Sequence, residues 1–132
     1  MKITADTNIL VRVVIEDDPA QSRLAQDALA GAELVALPVA ALAEMCWVLE
    51  RAYGFPKPDV ARAVRTLTNA QNAAVDMPAV EAGLMLLDAG GDFADGAIAQ
   101  EGLWLGAETF VSFDRKAIRL LQAAGLNAQE PG

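Results

Sequence analysis

The chain has 132 residues, a formal net charge of −8, no histidine and one cysteine, Cys46. That length fits one domain, residues 1–132, with a full hydrophobic core. The composition excludes imidazole acid–base chemistry, a Ser-His-Asp triad, an internal disulfide and a cysteine zinc site.

Apolar periodicity alternates between short strand-like runs and longer helical ones along the chain. Ile3-Ala5 reads as a first strand. Asn8-Glu16 and Ala20-Ala30 read as helices, separated by the turn and helix-start signal Asp17-Asp18-Pro19. Leu34-Leu37 is a second strand, Val39-Tyr53 a helix closed by Gly54-Phe55-Pro56, and Pro58-Ala70 another helix. Ala73-Asp76 is a short strand, followed by a helix over Pro78-Ala89 with proline in its first turn. After Gly90-Gly91 come a helix over Phe93-Leu105, a β-branched and aromatic strand at Thr109-Ser112, and a helix over Arg115-Ala124 ended by Gly125. This alternation predicts a three-layer α/β/α sandwich with a mostly parallel central sheet. The start Met1-Lys2-Ile3 lacks the apolar core and cleavage site of a signal peptide, and no uncharged run reaches membrane-span length. The expectation is a cytoplasmic protein.

Four acidic residues stand in apolar settings that normally exclude charge. Asp6 ends the first strand run. Glu44 is the only charge between Glu33 and Glu50. Asp95 opens Asp95-Gly96-Ala97-Ile98-Ala99. Asp114 follows Thr109-Phe110-Val111-Ser112-Phe113. Asp6 and Asp114 fall at predicted strand ends, and Glu44 and Asp95 in the first turns of helices. In an open parallel sheet those positions share the ligand-binding edge. An all-oxygen donor set with no nitrogen or sulfur suits a hard divalent cation. A bland role is open to each: Asp6 as acceptor for backbone donors around Thr7 and Asn8, Asp114 as a helix cap, Asp95 as a first-turn helix acid, and Glu44 as partner of a buried arginine. Asp92, three residues before Asp95, reads as a helix cap. One shared site accounts for all four acids together.

The segments Asp6-Thr7-Asn8-Ile9-Leu10, Leu42-Ala43-Glu44-Met45, Asp92-Phe93-Ala94-Asp95-Gly96-Ala97-Ile98-Ala99 and Val111-Ser112-Phe113-Asp114 resemble the acidic motifs of PIN domains. Their order and spacing resemble the VapC-type toxins of type II toxin-antitoxin pairs, from Lys2 to about Gly125. Three positions depart from the pattern: Gly96 where alanine is usual, Ser112 where threonine is common, and Ala117 where an aromatic often follows the last acid. No carboxylate is lost. The resemblance implies a Mg2+- or Mn2+-dependent endoribonuclease, a cognate antitoxin that plugs the site, and assembly through homodimers into larger toxin-antitoxin complexes.

Without histidine, phosphodiester hydrolysis has to lean on metal, which makes hydroxide from water and neutralises phosphate charge. Asp6, Asp95 and Asp114 are the candidate ligands, and Glu44 the candidate to ligate or to hold and deprotonate the attacking water. Thr7, Asn8 and Ser112 are candidates to orient carboxylates or water, and Asp92 to support the ligands. An acidic chain repels RNA at long range, so local cations have to compensate. Arg115, Lys116 and Arg119 follow the last acid, Arg12 lies beyond Asp6, and Arg51, Lys57, Arg62 and Arg65 form a second group. A solvated helix face is the alternative for both groups. The apolar helix of Met45, Trp47, Val48, Leu49 and Tyr53 is expected in the core, with any exposed part open to an antitoxin helix or second subunit.

Two rivals share an α/β sheet. A phospho-aspartate receiver needs an acidic pair after its first strand, and Asp6 stands alone. A haloacid-dehalogenase-type phosphatase needs a second aspartate two residues on, where this chain has Asn8. A non-catalytic binding module on the same fold is the third alternative.

Overall fold

The computed structural model describes residues 1–132 as two compact units, Met1–Asp76 and Met77–Gly132.

In the first unit, strand β1 (Lys2–Thr4) leads through helices α1 (Thr7–Val14) and α2 (Pro19–Gly31) to β2 (Leu34–Ala36). Helices α3 (Val39–Arg51) and α4 (Lys57–Thr68) then return the chain to β3 (Ala73–Ala74). The three strands are parallel in the order β1-β2-β3, with Ile3 opposite Val35 and Val35 opposite Ala73. Val35, in the middle of the central strand, is buried, while β1 carries Lys2 and Thr4 at its exposed ends. Local signals set the helix starts. Asp18 accepts a hydrogen bond from Gln21 N at 3.1 Å with Pro19 at the first helical position of α2. Leu10, Leu42, Met45, Leu49, Val60 and Val64 are fully buried and form the core. Each such side chain contributes roughly 1.5–3 kcal/mol by leaving water.

The second unit runs α5 (Met77–Asp88), α6 (Phe93–Trp104), β4 (Phe110–Val111), α7 (Arg115–Ala123) and β5 (Ala128–Gln129). Strands β4 and β5 pair in parallel, Phe110 opposite Ala128 and Val111 opposite Gln129. Leu86, Ala99, Ile118, Leu121 and Ala128 form a buried cluster capped by Phe110, Leu120 and Leu126. Helices α5 and α6 approach closely. A Cβ built on Gly83 would stand 2.5 Å from the Phe93 ring, and one on Gly96 would strike the Ala82 carbonyl. The departure at Gly96 therefore has a local cause: main chain occupies the space of an alanine methyl.

All seven helices and four of the five strands follow the sequence reading, with ends displaced by a few residues. Strand β5 is the omission. Its Ala128-Gln129 core lacks β-branched or aromatic residues, so only its pairing with β4 makes it a strand.

Candidate metal centre

In the second unit the chain brings three carboxylates together. Asp92, Asp95 and Asp114 each offer an oxygen, and these oxygens lie within 4.8 Å of one another. Asp92 sits at the N-cap position of α6 and Asp95 in its first turn. Asp92 makes no side-chain capping bond to the helix, which corrects the expectation that capping is its role. Its carboxylate belongs with the acidic cluster.

Asp114 comes from the N-cap of α7. Its Oδ1 accepts from Ala117 N at 3.1 Å and so caps α7. Its own N–H donates to Ser112 Oγ at 2.9 Å, and Ser112 N–H donates to the Gln129 carbonyl at 3.1 Å. Ser112 thus shapes the turn that carries Asp114 and does not touch the carboxylate. Asp114 Oδ2 has no protein donor.

Asp95 is half-buried, while Asp92 and Asp114 are exposed. Burial pushes the Asp95 carboxyl above its usual range, and the charges of Asp92 and then Asp114 push it further. The half-buried Asp95 thus faces two other carboxylates whose charges disfavour its ionised form.

The first unit holds a second pair of acids. Asp6 caps α1, accepting from Ile9 N at 3.1 Å through Oδ1. Thr7 Oγ1 donates to Glu44 Oε2 at 3.2 Å, joining the start of α1 to α3. Asn8 is exposed on the first turn of α1. Asp6 and Glu44 are exposed, as is Asp114, so the apolar neighbours in sequence do not bury them. For Glu44 the reason is the helix face: Ala40 and Trp47, one turn to either side, are exposed with it. The core face of α3 is carried by Leu42, Met45, Cys46 and Leu49.

The candidate RNA-binding cations differ in availability. Arg12 is engaged by Asp17, which draws its guanidinium to the turn before α2. Arg115 Nε donates to Glu130 at 3.2 Å, and Lys116 and Arg119 are exposed on α7. In the other group Lys57 pairs with Glu50 at 2.8 Å, Arg62 with Asp59 at 3.2 Å, and Arg51 lies over the Trp47 ring.

The PIN domain family profile matches residues 3–121. The chain is a PIN domain. The match runs through both compact units and all four acidic motifs. The comparison with curated proteins returns no match. The fold class of this PIN domain is the three-layer α/β/α sandwich with parallel strands. PIN domains are a nuclease fold, generally dependent on divalent metal, and act on RNA or other nucleic acid. Membership sets aside the receiver and phosphatase alternatives. No helix of this PIN domain is long and apolar enough to cross a membrane.

The donor set fits a metal. Asp92, Asp95 and Asp114 supply only hard carboxylate oxygens, close enough to repel one another. Magnesium and manganese favour such ligands.

Proposed function

We propose that this PIN domain is an endoribonuclease of the VapC toxin type, dependent on Mg2+ or Mn2+ and restrained by a cognate antitoxin. The observation that carries the reading is the Asp92–Asp95–Asp114 cluster, three carboxylates within 4.8 Å inside a PIN domain. Asp95 and Asp114, with Asp92, would hold the cation. A divalent ion bound there would lower the pKa of a water toward hydroxide and offset charge on the phosphate.

The chain's own groups do the rest. From the family resemblance we carry over a metal-ligand role for Asp6, and for Glu44 that of the carboxylate that holds the attacking water and takes its proton. Thr7 fixes one oxygen of Glu44, leaving the other to accept from that water. Exposed Arg115, Lys116 and Arg119 meet the RNA backbone. With aromatics at only 5% of the chain, recognition leans on backbone and shape more than on base stacking. The antitoxin completes the system by presenting an arginine or lysine to the acidic site, and the toxin works as a homodimer within the larger assembly. The whole chain acts as one domain in the cytoplasm.

The test is cleavage of RNA by the purified protein with Mg2+ or Mn2+, and its loss in chelator. Asp95→Asn, Asp6→Asn and Glu44→Gln should each abolish cleavage with circular dichroism unchanged. Cleavage that persists in excess chelator refutes the metal mechanism. Full activity in one variant removes that residue from it. Metal binding without any cleavage would favour the non-catalytic module.

A further inference from the structure

The end of the chain carries a side chain to the residue beside Asp114 from outside the matched stretch. The PIN match stops at residue 121, and β5 lies beyond it. This segment is firmly held. Phe110 N donates to Asn127 O at 2.9 Å, Ser112 N to Gln129 O at 3.1 Å, and Gln122 Nε2 to Ala128 O at 2.8 Å. Ala128 is buried with Leu86, Ile118 and Leu121. Glu130, the next residue past the last rung, therefore starts from a fixed backbone. Its Oε1 accepts from Arg115 Nε at 3.2 Å. Arg115 follows Asp114 directly and opens α7.

The form of this contact is informative. A guanidinium is a planar fork of five N–H donors. Holding it by Nε leaves the edge formed by the two terminal nitrogens free for a bidentate grip on phosphate. The Arg115 side chain is 83% exposed and that of Glu130 47%, and an exposed pair adds little to stability. Its effect is to confine a long side chain whose freedom would otherwise be lost on binding.

We infer that Glu130 is a positioning residue, holding Arg115 by Nε so that its open edge grips an RNA phosphate brought to the Asp92–Asp95–Asp114 cluster. The inference rests on the ribonuclease reading above.

Two substitutions separate position from charge. Glu130→Gln and Glu130→Ala both remove a negative charge that repels RNA, but only glutamine keeps an acceptor for Nε. The alanine variant should show a KM for an RNA oligonucleotide about two- to fivefold above that of the glutamine variant, the effect of one exposed hydrogen bond, with equal kcat. The same ratio should appear in Kd from fluorescence anisotropy of a labelled single-stranded RNA in chelator. In an Arg115→Ala background the ratio should fall to one. Arg115→Lys, which keeps the charge and loses the planar fork, should raise KM in the Glu130→Gln background to the level of Glu130→Ala or above. Equal KM and Kd for the two Glu130 variants, or a ratio that survives without Arg115, overturns the inference. So does a lower melting temperature for Glu130→Ala than for Glu130→Gln, which would make the contact structural. If Arg115→Ala keeps the wild-type KM while metal-dependent cleavage persists, only this inference falls. Absence of both cleavage and RNA binding in the wild type overturns the ribonuclease reading with it.

Discussion

Asp95→Asn should stabilise the metal-free protein while weakening its response to magnesium. Asp95 is half-buried and faces Asp92 and Asp114 with oxygens no more than 4.8 Å apart. Two unit charges at that distance repel by about 3.5 kcal/mol at an effective dielectric of 20 and about 0.9 kcal/mol in water. Both neighbours are exposed, so the lower figure is the better guide, giving about 2 kcal/mol for the two pairs. Against this stands the loss of an acid in the first turn of α6, which costs about 0.3–1 kcal/mol. The net gain is about 1 kcal/mol, roughly 3–5 °C in melting temperature for a chain of this size. The pH dependence has a definite sign. The folded Asp95 carboxyl titrates above its ordinary value of 3.8, so between the two values the native state binds more protons than the unfolded chain. Stability therefore falls as pH rises through that window, and the penalty is absent below it. The two proteins should converge in melting temperature at acid pH and separate at neutral pH, by calorimetry in chelator. Magnesium at about a hundredfold above its Kd should stabilise the wild type by roughly 2.7 kcal/mol and the variant by less. A variant that melts below wild type in chelator at neutral pH, with the same magnesium response, would show that Asp95 is only a helix-start residue.

Thr7→Val removes the donor that fixes Glu44, and RNA cleavage should drop by about 10-fold or more with the melting temperature nearly unchanged; wild-type rates would remove Thr7 from the mechanism. Gly96→Ala should destabilise by about 1–3 kcal/mol in urea melts, because the methyl meets the Ala82 main chain. Neutral behaviour there would mean α5 and α6 part more easily than their packing implies. The Cys46 thiol is pushed up to about 12, by burial first and the Glu50 charge second. It should resist a thiol reagent near pH 8 in the folded protein and react promptly in denaturant, and fast labelling of the native state would contradict its burial.

The order of helices and strands was legible because several boundaries carry a local signal: Asp18-Pro19 before α2, Pro56 and Pro58 around the start of α4, Asp114 capping α7. What escaped was set by partners distant in sequence. Strand β5 exists because β4 offers it an edge. The exposure of Glu44 was hidden because α3 is apolar almost all round, so periodicity alone did not show which stripe meets the core. The same limit applies to Asp92. Its spacing to Asp95 is that of a cap, and only the return of Asp114 from α7 shows that its carboxylate joins an acidic cluster.

The close contact of α5 and α6 narrows the paths by which this sequence can drift. At Gly83 the obstacle is the Phe93 ring, so a smaller residue at position 93 has to come first before any side chain is tolerated at 83. At Gly96 the obstacle is the main chain of Ala82 and Gly83, and no neighbouring substitution removes it. Asp92 and Asp95 ride on the same first turn of α6, so a lineage that lost Gly96 would displace both carboxylates at once. Descendants that keep the acidic cluster should therefore keep Gly96 as well, although that residue has no chemistry of its own.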